Sequence, residues 1–200
     1  VEAIKEADLL ALPSGMSGGG KPNSPAKFIS IVLSQEEVKK AINELLDRKG
    51  LVTGLGEGFK ALVDLGLIQH GRIKEKTDSL QMAPNPMNKN YAGLFKTSII
   101  SPVEPYYRGA TSEILPVSTI FGRIEMDQED FERYNSKGQI VSVFDGANPY
   151  GSRYGIEAMV SENGQVFGKL GEISQLEEGL YANVFEAKTS PVFKNLKEYF

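Results

Sequence analysis

Between Gln35 and Gly50 the apolar residues Val38, Ala41, Ile42, Leu45 and Leu46 recur at i, i+3, i+4, i+7 and i+8, the repeat of one helical face. Ser34-Gln35-Glu36-Glu37 offers this helix a capping-box start and Gly50 a stop. Just ahead, residues 27–33 are apolar and β-branched (Phe28, Ile29, Ile31, Val32) and predict a strand, so the passage reads as β then α. Phe59, Leu62, Val63 and Leu65 predict a second, short helix ending at Gly66, with a strand at Leu67, Ile68 and Gln69. At the start of the chain, residues 1–12 predict a short helix carrying Ile4, Ala7, Leu9, Leu10 and Leu12 mostly on one side. The Gly, Ser and Pro of residues 13–25 predict a linker that lets this helix dock on the chain's own body or on a partner.

From His70 to Leu115 the periodicity fails, apart from extended pieces such as residues 94–100. Irregular stretches of this length are commonly functional or disordered, and an extended arm lying along a partner fits the pattern. The last third is β-rich. Strand character over residues 117–126 is followed by a short helix over 127–134 and strands over 139–144, 154–160 and 165–170. Asn163-Gly164 supplies the positive φ values of a tight hairpin turn between the last two. A further strand is expected over 180–187, and Ser190-Pro191 starts a closing helix. The expected fold is α+β: an antiparallel sheet with helices on one face, plus long extended segments. Four segments are expected: residues 1–25 as helix and linker, 26–70 as an α/β unit, 71–115 as an irregular arm and 116–200 as a β-rich unit.

Composition narrows the chemistry more than it identifies it. The 200 residues contain no Cys and one His, which excludes disulfides, thiolate metal sites and cysteine nucleophiles, and leaves any Ser–His–Asp triad dependent on His70. With 22 Lys+Arg against 26 Asp+Glu the formal net charge is −4, against a protein whose main work is gripping phosphates. No run approaches the ~18 apolar residues of a membrane span. An intracellular or organellar, soluble protein is expected, the plastid included.

Gly54, Gly56 and Gly58 precede a helix, where free backbone N–H groups could hold a phosphate, but the spacing matches neither a dinucleotide loop nor a Walker loop, and a plain turn is the expectation. Glu125, Asp127, Glu129, Asp130 and Glu132 could attract a hard cation, yet acids in a helix's first turn are already favoured by the dipole. No catalytic, metal-binding or cofactor-binding residue is expected. Tyr106, Tyr107, Arg108, Tyr150, Arg153 and Tyr154 are candidate partner-binding residues, because Tyr and Arg in Pro- and Gly-rich loops are typical interface anchors, and the same residues could stack on single-stranded bases.

Met126-Asp127-Gln128-Glu129, followed by Lys137-Gly138-Gln139-Ile140-Val141-Ser142-Val143, resembles the end of the small strand–helix–strand domain of phycobilisome linker proteins. Gln128, Glu129, Gly138, Ile140, Val141 and Ser142 carry the likeness, while Lys137 stands where that family has Gly and Asp127 where it has Ser. The resemblance implies a linker whose extended arms set the spacing of light-harvesting discs, without a thioether-bound bilin of its own. Its acidity departs from that family, whose linkers tend to be basic. The expectation is therefore a non-enzymatic structural or assembly protein that binds protein partners in a larger assembly, with no cofactor. A single-stranded nucleic-acid-binding module is the alternative, and an enzyme with a carboxylate or phosphate-binding site stands third.

Overall fold

The computed structural model describes residues 1–15, 25–184 and 187–200. Its strands are β1 (Leu9–Leu12), β2 (Leu51–Leu55), β3 (Gln81–Ala83), β4 (Tyr91–Ile99), β5 (Ser112–Thr119), β6 (Arg123–Glu125), β7 (Ile140–Phe144), β8 (Ile156–Val160) and β9 (Val166–Lys169). The helices are α1 (Glu2–Glu6), α2 (Pro25–Leu33), α3 (Glu36–Asp47), α4 (Glu57–Asp64), α5 (Leu67–His70), α6 (Gln128–Ser136) and α7 (Pro191–Tyr199). Seven strands form one sheet in the order β1-β2-β9-β8-β7-β4-β5, and β3 pairs with β6 in a separate ribbon.

The sheet is mixed rather than antiparallel, because β1, β2 and β9 run parallel to one another while the remaining pairs alternate in direction. Parallel strands lie between covered faces and read as continuous apolar runs. Every residue of β2, β8 and β9 is accordingly buried. Successive residues of β9 show both faces covered. Phe59 of α4 occupies the space beside Gly168 that a side chain would fill. Phe167, pointing the other way by the strand alternation, stacks on Tyr106 at 4.4 Å between ring centroids. Asn195 of α7 holds the Tyr106 carbonyl at 2.9 Å.

Several sequence expectations are corrected here. Residues 9–12 form β1, not the end of a helix: three leucines in four positions fit either period, and pairing with β2 decides. Residues 27–33 belong to α2, which packs on α4 and leaves Phe28, Ile31 and Val32 exposed, so β-branching is overridden by tertiary placement. Gly66 and Gly71, both left-handed, bracket α5 where a strand was expected. The expected irregular arm supplies β3, β4 and the start of β5; β4 takes in the extended piece expected over 94–100 and is paired on both sides inside the main sheet. The described residues of 180–187 hold no strand, and the linker falls largely on residues 16–24, outside the described residues. Within 126–143, Asp127 caps α6, accepting from the Asp130 N–H at 2.8 Å, and β7 follows as an inner strand of the sheet.

A buried ion cluster ties the sheet together. Lys169 is fully buried, its Nζ 2.7 Å from Glu157 and 3.4 Å from Glu113. Glu157 also accepts from Ser142 Oγ at 2.5 Å and from the Gly171 N–H at 2.8 Å. Glu113 accepts from Tyr107 Oη at 3.1 Å and from Ser190 Oγ at 2.8 Å. Burial alone would lower the Lys169 pKa, but Glu157, Tyr107 and Glu113 together hold it well above the ordinary lysine value. The stability it contributes is therefore fully present below the ordinary lysine range and is lost only as pH rises through the elevated folded value.

Lys169→Met leaves two buried carboxylates without their cation and is expected to cost about 3–5 kcal/mol in urea unfolding at neutral pH. Lys169→Met/Glu157→Gln removes the closest charge pair together and is expected to cost less than the single change. A single variant as stable as the wild type would show that the cluster carries no such weight.

Candidate functional site

The carboxyl ends of β1, β2 and β9 lie side by side, and in open α/β sheets that edge is where ligands bind. β2 leaves the sheet at Gly56, which has φ 50 and ψ −111 and turns the chain directly into α4. This strand, sharp turn and helix, spaced Gly54-Leu55-Gly56-Glu57-Gly58, has the form of a nucleophile elbow. Its tight passage requires the flanking glycines. A Cβ at Gly54 would meet the Gly58 carbonyl at 2.7 Å, and one at Gly58 would collide with the Leu12 carbonyl of β1.

At the apex of such an elbow a nucleophilic side chain would stand, and here Gly56 offers none. The atom nearest to the place of its missing Cβ is Ser14 Oγ, 2.5 Å away. Ser14 donates to Glu172 Oε1 at 2.9 Å, and Gln175 Nε2 donates to the other carboxylate oxygen. Glu172 follows β9 and is anchored through its N–H to the Pro116 carbonyl of β5 at 2.8 Å. Ser14, Asn90, Ser118, Ile120, Glu172 and Gln175, with Gly15, line a cavity of about 450 Å³, within the size range of small-molecule sites. Glu57, next to the apex, is turned into the protein, where it accepts from the Ala26 N–H and Thr119 Oγ1.

The residues singled out from the sequence lie elsewhere. Tyr106, Tyr107 and Tyr150 are buried, and their hydroxyls bond within the chain, to Gly164 and Gln165, to Glu113 and to Tyr91. Arg108 is on the surface, paired with Glu104 and Glu198. Arg153 and Tyr154 both reach Gln128 at 2.8 Å, and Tyr154 packs on Phe131. His70 lines a different cavity and lies 3.0 Å from the Glu75 carbonyl. In the acidic cluster Asp127 serves as a helix cap, and Asp130 is taken up by Ser79 and by Arg133 at 2.6 Å. Among the described residues no group of His, Cys, Asp and Glu is arranged to hold a metal. Ser14 and Glu172 carry no signal in the sequence because they are 158 positions apart. The glycine triplet is visible there, but as a turn.

A mixed sheet with an elbow and a pocket at the carboxyl edge of its parallel strands defines an α/β fold with a small-molecule-sized site at that edge. The chain belongs to the CobB/CobQ-like glutamine amidotransferase domain family, whose model matches residues 1–200. It is 26% identical over 184 residues to the phosphoribosylformylglycinamidine synthase subunit PurQ of Alkaliphilus metalliredigens, covering 92% of this chain and 76% of that protein. To PurQ of Salinibacter ruber it is 26% identical over 186 residues, covering 89% and 74%. Among solved structures it is similar to a chain of PurLQS from Thermotoga maritima, with a TM-score of 0.71 and 20% identity, covering 96% of this chain and 79% of that one.

These findings overturn the likeness to phycobilisome linkers and, with it, the expectation of a non-enzymatic structural protein. The relatives are subunits of a synthase, and the family is one of amidotransferases. The stretch 126–143 misled because a capped helix, a glycine stop and an apolar strand arise wherever a helix feeds an inner strand. No described helix is long and apolar enough to cross a membrane, and nothing in the relatives supports a plastid location.

Gly58→Ala is expected to lower stability by about 1–3 kcal/mol, since the Leu12 backbone cannot give way. Gly15→Ala has nothing within 4 Å of its added Cβ and is expected to change stability by less than about 0.5 kcal/mol. Equal losses in thermal or urea unfolding would remove the close-approach argument for the elbow.

Proposed function

We propose that this chain is the amidotransferase-type subunit of a phosphoribosylformylglycinamidine synthase assembly and that the elbow pocket is its nitrogen-handling site. The observation that carries the reading is that the family match spans residues 1–200, and so takes in both the elbow and every residue lining the cavity beside it. The PurQ relatives match across about nine-tenths of the chain, so the likeness is not confined to one motif. Those relatives are synthase subunits, and the similar Thermotoga chain belongs to a structure of PurLQS, which supports a protein partner. The polar lining and size of the cavity suit a small hydrophilic ligand.

The test is reconstitution. Mixed with the synthase subunit of its own source, the full chain is expected to co-elute on size-exclusion chromatography and to raise the rate of phosphoribosylformylglycinamidine formation when glutamine and ammonium are both supplied. A chain that neither co-elutes at tens of micromolar nor alters that rate would remove the assignment.

A further inference from the structure

Glu172 is a carboxylate withdrawn from water that no cation among the described residues meets. It is 6% exposed, and its hydrogen-bond donors, Ser14 and Gln175, are both neutral. Other withdrawn carboxylates of this chain are placed against cations: Glu157 and Glu113 against Lys169, Asp130 and Asp78 against Arg133. Among the described residues no Lys, Arg or His makes such a pair with Glu172. A buried carboxylate without a counter-charge is costly to keep. Among the described residues the cavity beside it has no basic residue in its lining, and Asn90, Ser118 and Gln175 each bring to it a side-chain oxygen able to accept. Such a lining disfavours an anion and suits a small cation with several N–H donors.

We propose that the elbow pocket binds a primary ammonium group against Glu172, and that the nitrogen it handles arrives as ammonium ion. The second statement rests on the synthase-subunit reading above and on Gly56. Covalent release of nitrogen from a carboxamide requires a nucleophile to bond to the amide carbon, the C–N bond to break with a proton delivered to the departing NH₃, and water to hydrolyse the acyl adduct. Gly56 has no atom to form that first bond, and attack by the neighbouring hydroxyl, Ser14 Oγ, would show itself as glutamate release in the assay below. Ammonium needs no such step, because transfer of one proton from it to the Glu172 carboxylate leaves NH₃ with the lone pair that an amidine-forming reaction consumes, and the carboxylic acid then returns that proton to water. The reaction preceding this one is then of a class that sets ammonia free, by amide hydrolysis or deamination at another site.

The shared chemistry, a protonated amine, is offered both by ammonium and by the α-amino group of glutamine, and the experiment separates them. Thermal unfolding of the full chain is followed in ammonium chloride, in sodium chloride of equal ionic strength, and in L-glutamine, and release of glutamate from glutamine is assayed alongside. The proposal expects a saturable rise in Tm with ammonium beyond that with sodium, no glutamate release, and a dissociation constant raised at least about tenfold in Glu172→Gln, as for loss of a charged hydrogen bond. Asn90→Ala, a change at an exposed position of the same cavity, is expected to weaken ammonium about threefold, and decides the matter if Glu172→Gln does not fold. No ammonium-specific rise, or a rise that both variants keep, overturns the proposal. Release of glutamate by the chain, with or without the synthase subunit, overturns it too while leaving the subunit reading intact. Ammonium binding by a chain that fails the reconstitution keeps the pocket assignment and removes only its place in the synthase.

Discussion

The buried cluster of Lys169, Glu157 and Glu113 is the interaction on which the site's geometry depends. Removing three charged side chains from water is unfavourable unless their geometry satisfies almost every lone pair and proton, and here it does. Lys169 meets both carboxylates, Ser142 and the Gly171 N–H complete Glu157, and Tyr107 and Ser190 complete Glu113. These residues come from β5 and the loop before it, β7, β8, β9 and the turn after it, and the cap of α7, so the cluster fixes how those elements meet. Its bond to Gly171 has a direct functional consequence. That bond sets the turn after β9, and the next residue is Glu172, held in place by the Pro116 carbonyl. A charge fully paired inside the sheet thus positions, at the pocket, a carboxylate that no cation among the described residues meets.

The elbow shows a second constraint, one of space. Leu12, Gly54 and Gly58 bring β1, β2 and α4 so close that neither glycine has room for a side chain. That packing is what makes the turn at Gly56 sharp, and it persists although the apex has no side chain to present. Ser14, arriving from β1, fills the space above the apex and links it to Glu172. The shape of the elbow and the chemistry at its tip are therefore separable. The shape follows from small residues at two flanking positions, the chemistry from whatever reaches the apex from neighbouring strands.

This separation explains what could be read from the residues alone. α3, α4, α6, α7 and the β8–β9 hairpin were legible because their apolar periods, caps and turn residues act within a few positions. β1 and α2 were not, because each is decided by what it packs against, β1 by β2 and α2 by α4; β4 was legible as the extended piece over 94–100, but not its place between β5 and β7. Gly54, Gly56 and Gly58 were visible as a triplet before a helix. Without a nucleophile between them, however, nothing distinguished an elbow from a plain turn. Tyr106, Tyr107 and Tyr150 stood out as surface anchors in Pro- and Gly-rich loops. Their rings instead fill the core, and burial pushes each hydroxyl's pKa well up, so all three stay neutral donors to acceptors within the chain.

The charges were the least legible part, and for a general reason. Composition reports a net of −4 but not which carboxylates have lost water and which have found a cation. The run from Glu125 to Glu132 was conspicuous in the sequence, yet it is a helix start, capped by Asp127 and tied to Ser79 and Arg133 through Asp130. Glu172 is a lone acid in a stretch without a motif. Its significance comes from three strands meeting at one edge, from a neighbour 158 positions earlier in the chain, and from the absence of a cation among the described residues around it. Apart from Asp130, which Ser79 and Arg133 take up, the acids of that helix start face water and are explained locally by the helix dipole. A single carboxylate drawn from water beside an open cavity has no such local explanation, and that makes it the stronger indication of a ligand.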